Sequence, residues 1–174
     1  KQKKFKSIEN ALQKFENSSN DRGVIWPVYS IRKSDLPNAS NIPLIIDYSN
    51  DKVGETVQKL ASYISENVTF LNETQRRYLH LNAVFVNNFP NHLFAIAEQI
   101  CNEQNVPYSI LVPIIQQSFQ GIANGNFLLK QTGPAIRNDF TTIDKHIEML
   151  QTHPSWQQLY EDITNSIIHD NQSI

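Results

Sequence analysis

From Glu73 to Asn105 the spacing of apolar residues predicts one long helix, and between Leu79 and Val86 that helix is apolar nearly all round. A helix of this kind has no face suited to water, so it is expected to be buried in the middle of something. Pro90 falls inside the run and predicts a kink, because proline removes a backbone donor and crowds the preceding turn. Whatever the chain folds into must supply cover for this element on several sides.

The rest of the second part is also helical in pattern. Pro107 to Ala123 reads as a helix, with Pro107 in its first turn and Pro113 as a possible bend, and Gly121 to Phe127 is a break. Thr141 to Leu150 carries Ile143, Ile147 and Leu150 on one side. Pro154 opens a last helix whose apolar face is Trp156, Leu159, Tyr160, Ile163 and Ile167. No strand pattern follows Leu71.

The first part alternates. Residues 7–16 read as a short amphipathic helix (Ile8, Leu12 and Phe15 on one side), followed by a loop from Ser18 to Gly23. Val24 to Ile31 reads as a strand interrupted by Pro27, and Ser34 to Asn41 as a loop. Pro43 to Tyr48 is a second strand, and its continuous run Leu44-Ile45-Ile46 predicts burial on both faces. Val53 to Ile64 has helical spacing, and Val68 to Leu71 is a short third strand. Helix, strand, strand, helix, strand is the habit of an α/β layer. Three short strands are too few for a complete domain and read as one edge of a larger sheet.

Composition removes several function classes. Across 174 residues, 15 Lys and Arg stand against 17 Asp and Glu, a net charge of −2. That balance argues against bulk electrostatic binding to nucleic acid or to an anionic membrane. The basic cluster from Lys1 to Lys6 reads as a solvated helix end. Cys101 is the only cysteine and sits in an apolar helical run, so it reads as a small buried residue in a reducing, cytoplasmic setting. No apolar run is long enough to span a bilayer. The histidines lack His-Glu-x-x-His or similar spacing, and there is no nucleophile elbow, no P-loop and no Gly-x-Gly-x-x-Gly.

Two stretches carry candidate chemistry. The long helix holds His80, Asn87, Asn88, Asn91 and His92 in its most apolar part. At about 100° per residue, His80, Asn87 and Asn91 fall nearly on one line, and Asn88 and His92 form a second. Buried amides without partners are costly, so the group implies a structural network around Pro90, a cleft wall, or direct catalysis by His80 or His92. The second stretch is Gln131-Thr132-Gly133-Pro134-Ala135-Ile136-Arg137-Asn138-Asp139. Gly133-Pro134 fixes a turn, Thr132 and Gly133 offer a hydroxyl and backbone N–H groups, and Arg137 offers a planar fork suited to a carboxylate or phosphate. A surface or interface salt bridge is the competing role for Arg137. Asp139 is expected to cap the helix that follows, and His146 to be a half-buried structural histidine.

These residues resemble a family. Arg77-Tyr78-Leu79-His80-Leu81, Ala83-Val84-Phe85, Asn88-Phe89, Asn91-His92 and Gln131-Thr132-Gly133-Pro134-Ala135 with Arg137 and Asp139 resemble proteins that pair a Rossmann-like domain with "domain of unknown function 2520". Gly23-Val24, Trp26-Pro27, Thr142-Ile143 and Lys145-His146 extend the likeness from Gly23 to about Ile167.

The resemblance implies an NAD(P)-dependent oxidoreductase, similar in layout to pyrroline-5-carboxylate reductase, and supplies no substrate; Arg137 and the Thr132-Gly133 backbone point to a small carboxylate-bearing one. It implies an α+β fragment: the C-terminal edge of a Rossmann-type α/β domain over residues 1–71, then an all-α domain over 72–174. That second domain would be like the 6-phosphogluconate dehydrogenase C-terminal fold and would form a homodimer. Trp26, Pro27 and Tyr29 would lie near the nicotinamide, on a loop after a late strand. His80, Asn88 and His92 would serve catalysis, and Gln131, Thr132, Gly133, Pro134 and Arg137 would bind substrate along a cleft.

The sequence departs from the family in lacking the glycine-rich turn and first βαβ unit, so NADP (or NAD) would be held mainly by a missing N-terminal part. Pro90 also stands where a non-proline residue is expected. No nucleic-acid or membrane partner is expected. A non-catalytic helical dimerisation or dinucleotide-sensing module is the alternative.

Overall fold

Three short runs rich in β-branched and apolar residues form one sheet: Gly23–Pro27 (β1), Leu44–Tyr48 (β2) and Val68–Phe70 (β3), in the order β1-β2-β3. β1 runs antiparallel to β2, with Ile25 opposite Ile46 and Trp26 opposite Ile45. β3 runs parallel to β2, with Leu44 beside Val68. A parallel pair needs a crossover, and the helix Asp51–Ile64 (α1) supplies it. The computed structural model describes residues 21–30, 38–120, 122 and 125–172. The expected helix at 7–16, the basic cluster Lys1 to Lys6, the first half of the Ser18–Gly23 and of the Ser34–Asn41 loop and the Ile31 end of the first strand lie outside them. The chain divides into two compact units, one ending at Asn91 and the other beginning at His92.

In the first unit, α1 covers one face of the sheet. Leu44 and Ile46 pack with Ile42, Val57 and Ala61, and Ile25, Tyr48, Val53 and Val68 close around them. Burying a side chain the size of Ile46 contributes about 1.5–3 kcal/mol. Ile45, on the opposite face, is buried too, so Leu44-Ile45-Ile46 is covered on both sides, as its continuous apolar pattern predicts. The first strand stops at Pro27, short of the expected Ile31: the Val28 N–H still donates to the Pro43 carbonyl at 2.9 Å, but Pro43 has no N–H with which to return the bond. Gly54 lets α1 approach: a Cβ there would stand 2.8 Å from the Tyr48 ring. Ser65, just past α1, is buried; its hydroxyl lies 2.6 Å from the carbonyl oxygen of Ile42 and accepts from the Asn67 N–H at 3.0 Å. One side chain thus ties the end of α1 to the starts of β2 and β3.

The long helical run is present but divided. Glu73–Ala83 (α2) opens with a capping box, in which Asn72 accepts from the Gln75 N–H and the Gln75 side chain accepts from the Asn72 N–H. A π-turn at Val84–Asn88 follows, then Phe89–Glu103 (α3). The expected burial does not hold within this chain. Tyr78, Leu81, Phe85, Val86 and Phe89 are exposed, Val86 by 73%. The physical reason is geometric: a single neighbouring sheet can cover one flank of a helix, and this one is apolar on several.

In the second unit, the remainder of α3 is followed by a 3₁₀ turn at Tyr108–Leu111, then Val112–Phe119 (α4), Phe127–Lys130 (α5), Phe140–Met149 (α6) and Pro154–Gln172 (α7). The helix expected over Pro107 to Ala123 is shorter and in two parts. Pro113 opens its α-helical part instead of bending it, since the first turn needs no proline N–H. Phe94 of α3 meets Phe119 of α4 at 6.1 Å between ring centroids. Cys101 is buried as expected, and Ile143 lies on the buried side of α6. Among the described residues no strand follows Phe70, and no helix is long and apolar enough to cross a membrane.

Candidate functional site

The β1–β2 register places Val24 and Trp26 on the same sheet face as Asp47 and Ile45, away from α1. Helix α2 reaches this face with two side chains one turn apart. The Arg76 Nη2 donates to Asp47 Oδ2 at 2.7 Å, and both side chains are only 20% exposed. Asp47 is itself held by the Tyr48 N–H, which donates to Oδ1 at 2.8 Å. One turn later the His80 ring stands 6.1 Å from that of Trp26, inclined at 42°. Residues 26 and 80, far apart in sequence, are thereby brought together. Arg76 and Asp47 were not anticipated. The available signal was a carboxylate ending an apolar strand and an Arg four residues before His80.

Trp26 and Pro27 belong to β1 itself, which corrects their expected position on a loop after the strand. The tight register with β2 holds them as far as Pro27. Tyr29 lies beyond the strand end and is 48% exposed.

The π-turn changes the arrangement of polar residues on the long helix. The Phe89 N–H donates to the carbonyl of Val84, five residues back, and the Val84 N–H is shared between the carbonyls of His80 and Leu81. Pro90 accounts for the wider turn: its ring would crowd the carbonyl of Val86 in a regular α-helix. A π-turn takes in one residue more than an α-turn, so later positions lag by about 100°. The line expected for His80, Asn87 and Asn91 is therefore broken, and His80 aligns with Asn88 to within about 20°. Both are exposed, so their polar groups are solvated and the expected buried network is absent. His92 follows Asn88 by one turn, is exposed, and is the first residue of the second unit.

Gln131, Thr132, Gly133, Pro134 and Arg137 lie in the second unit, in a compact turn. Gly133 has φ +108°, a conformation suited to glycine. The Asp139 N–H donates to the Pro134 carbonyl at 3.0 Å and the Asn138 N–H to that of Ala135 at 3.2 Å, closing the turn over buried Ala135. The side-chain amide of Gln131 donates to the Thr132 carbonyl at 3.2 Å. The Arg137 side chain is 63% exposed and lies 4.0 Å from Asp139, a long and solvated ion pair. Asp139 caps α6 as expected, and the Thr142 hydroxyl and backbone N–H hold its carboxyl below the usual range, with a smaller contribution from Arg137.

Two histidines of the second unit have defined partners. His146 Nδ1 lies 2.8 Å from the Tyr160 hydroxyl and joins α6 to α7, the structural role expected of it. His153 stacks on Trp156 at 4.0 Å, and its Nε2 is 2.9 Å from Glu103 Oε2. The His153 hydrogen bond, then that of Gln99, lowers the Glu103 pKa. No group of three or more side chains suited to a metal ion occurs among the described residues. A shallow depression lined by Asp21, Gly23, Lys52, Val53, Thr56 and Val57 lies where β1 meets α1, and no sequence-predicted site residue lines it.

A small mixed sheet followed by helices, with an aromatic–histidine contact at its open face, is the edge of a Rossmann-type domain joined to a helical domain. The chain belongs to the family described as domain of unknown function (DUF2520), whose model matches residues 42–167. It is similar to the crystal structure of a "putative NADP oxidoreductase" from Bacteroides fragilis, with 32% identity and a TM-score of 0.83 over 90% of this chain and 61% of that one. It also resembles a Thermotoga maritima protein structure, with 20% identity and a TM-score of 0.69 over 91% of this chain and 64% of that one, a likeness of fold. The chain thus spans less than two thirds of the length of either. No curated protein matches it.

Proposed function

We propose that the chain is the C-terminal part of an NAD(P)-dependent oxidoreductase acting on a small carboxylate-bearing substrate. The observation that carries this reading is the Trp26–His80 contact, at 6.1 Å, on a Rossmann-type sheet edge. The 32% identity to a protein named as an NADP oxidoreductase supports it and favours NADP.

The residues present fit a nicotinamide only at its ring end. Trp26 is half-buried beside an imidazole, but the five glycines of the sequence are not spaced as Gly-x-Gly-x-x-Gly, so the pyrophosphate would be held by residues outside this chain. When bound, the cofactor would supply a hydride to a C=O or C=N carbon. Trp26, Pro27 and Tyr29 would line the nicotinamide side. His80, Asn88 and His92 would orient and polarise the reacting group, and His80 could deliver the proton that balances the hydride. Gln131, Thr132, Gly133, Pro134 and Arg137 would receive the carboxylate. Residues 72–174 would act as a dimerisation and substrate domain, in a cytoplasmic homodimer.

The test is NADPH fluorescence titrated with the full-length protein. A quench or blue shift is expected, and an unchanged spectrum at saturating protein sinks the proposal. A second reading, a non-catalytic helical dimerisation or metabolite-sensing module, is favoured by the exposed Tyr78, Leu81, Phe85, Val86 and Phe89. His80→Ala and Arg137→Ala separate the two. Loss of ligand binding with an intact dimer supports the enzyme; loss of the dimer with intact binding supports the module.

A further inference from the structure

We infer that Arg76, anchored by Asp47, is a positioning residue that sets the rotation of α2 and thereby holds His80 against Trp26. This rests on the proposed site only in the value it gives to His80; the structural claim stands apart from any ligand. Three observations carry it. First, α2 stands back from the sheet, so long side chains bridge the gap, and Arg76–Asp47 is the ion pair that does so among the described residues. Second, the anchor is built on both sides. Asp47 lies near the end of β2, paired with Val24 of β1, and is fixed by the Tyr48 N–H, while the capping box fixes the turn of α2 that leads into Arg76. Third, Arg76 and His80 are four residues apart, so they lie on one side of the helix about 40° apart around its axis. Any rotation of α2 that carries His80 off Trp26 must also pull Arg76 off Asp47.

The pair is not a surface accident. Both side chains are 20% exposed, where charge is less screened than at an open surface. Arg76 Nε is buried with no hydrogen-bond partner among the described residues, so the side chain gives up solvation to reach Asp47. Beyond His80 the π-turn begins, with the His80 carbonyl accepting part of the Val84 N–H. The segment between the cap and that turn therefore depends on Arg76 for its setting.

The test is the nuclear Overhauser effect between His80 and Trp26 ring protons in the full chain, read without ligand. Trp156→Phe serves as the background so that one indole is observed. The effect is expected in that background, to be lost in Arg76→Met, which keeps the apolar stem, and to be retained in Arg76→Lys, whose ammonium can still meet Asp47. If Arg76→Met does not fold, Asp47→Asn gives the same reading through the other partner, with loss again expected. A persisting His80–Trp26 effect in folded Arg76→Met or Asp47→Asn overturns the inference, as does equal loss in Arg76→Lys with an unchanged unfolding midpoint. Failure of the NADPH titration would remove the oxidoreductase reading and leave this one standing, because no cofactor enters the measurement.

Discussion

Asp139 and Thr142 are joined twice. The Asp139 Oδ1 accepts the Thr142 N–H at 3.1 Å, and its Oδ2 accepts the Thr142 hydroxyl at 2.8 Å. The first bond satisfies an orphan donor of α6; the second fixes the carboxyl so that it stays there. The same residue closes the Gly133-Pro134 turn through its N–H, so cap and candidate anion loop are one structure.

This sets a pH dependence. The folded carboxyl has its pKa lowered from the ordinary 3.8, so it binds its proton less readily folded than unfolded. Its stabilisation is present above pH 3.8 and is lost as pH falls through the lower folded value. Asp139→Asn keeps a capping oxygen without the charge, so it should flatten that part of the profile, while Asp139→Ala should lower the unfolding midpoint at neutral pH. Thermal unfolding from pH 2 to 7 checks both, and identical acid profiles for wild type and Asp139→Asn would count against the account.

Glu103 behaves in the same sense. His153 and Gln99 hold its pKa below the ordinary 4.5, so its contribution is also present above that value and fades as pH falls below it. In His153→Phe the main cause is removed. Carboxyl-detected NMR should then find Glu103 titrating closer to its ordinary value, and no change would mean that the 2.9 Å contact does not form in solution.

Ser65 should be expensive to truncate for its size. The hydroxyl is buried, and three backbone groups converge on it: the carbonyls of Ser40 and Ile42 and the N–H of Asn67. Ser65→Ala is expected to cost about 1–3 kcal/mol, because the groups left behind stay unsatisfied. Urea unfolding measures it, and a change within error would mean that these groups find other partners.

Gly54→Ala reverses a usual rule. An alanine in a helix interior is ordinarily favoured over glycine by about 0.5–1 kcal/mol. Here the new Cβ would fall 2.8 Å from the Tyr48 ring, which is itself packed against Phe70 at 5.0 Å. Destabilisation by about 1–3 kcal/mol is expected from overpacking. A stabilised variant would show that the Tyr48 ring moves aside freely.

Pro90→Ala tests the origin of the π-turn. Without the proline ring, Phe89 is expected to donate to the Phe85 carbonyl, four residues back, in place of Val84. Through-bond couplings across the hydrogen bond distinguish the two acceptors. Retention of the Val84 partner would show that packing, not Pro90, holds the wide turn.

The sequence by itself determined the elements. Alternation placed the strands, the continuous run Leu44-Ile45-Ile46 foretold burial on both faces, and Asp139 and Pro154 marked helix starts, because these choices are made by local sterics and by the nearest hydrogen-bond partners. The motifs from His80 to Arg137 also pointed to the family that residues 42–167 match. Only the tertiary structure decided which residues meet. Nothing local in the chain indicates that Trp26 faces His80 or that Arg76 finds Asp47, since both follow from a strand register and a helix rotation set by contacts distant in sequence. Regular helical spacing also misplaced Asn88: one extra residue taken up before Pro90 moved it into line with His80. Exposure of the long helix escaped the sequence for the same reason. Apolar pattern records what a helix would bury, whereas burial itself depends on which surfaces fold against it.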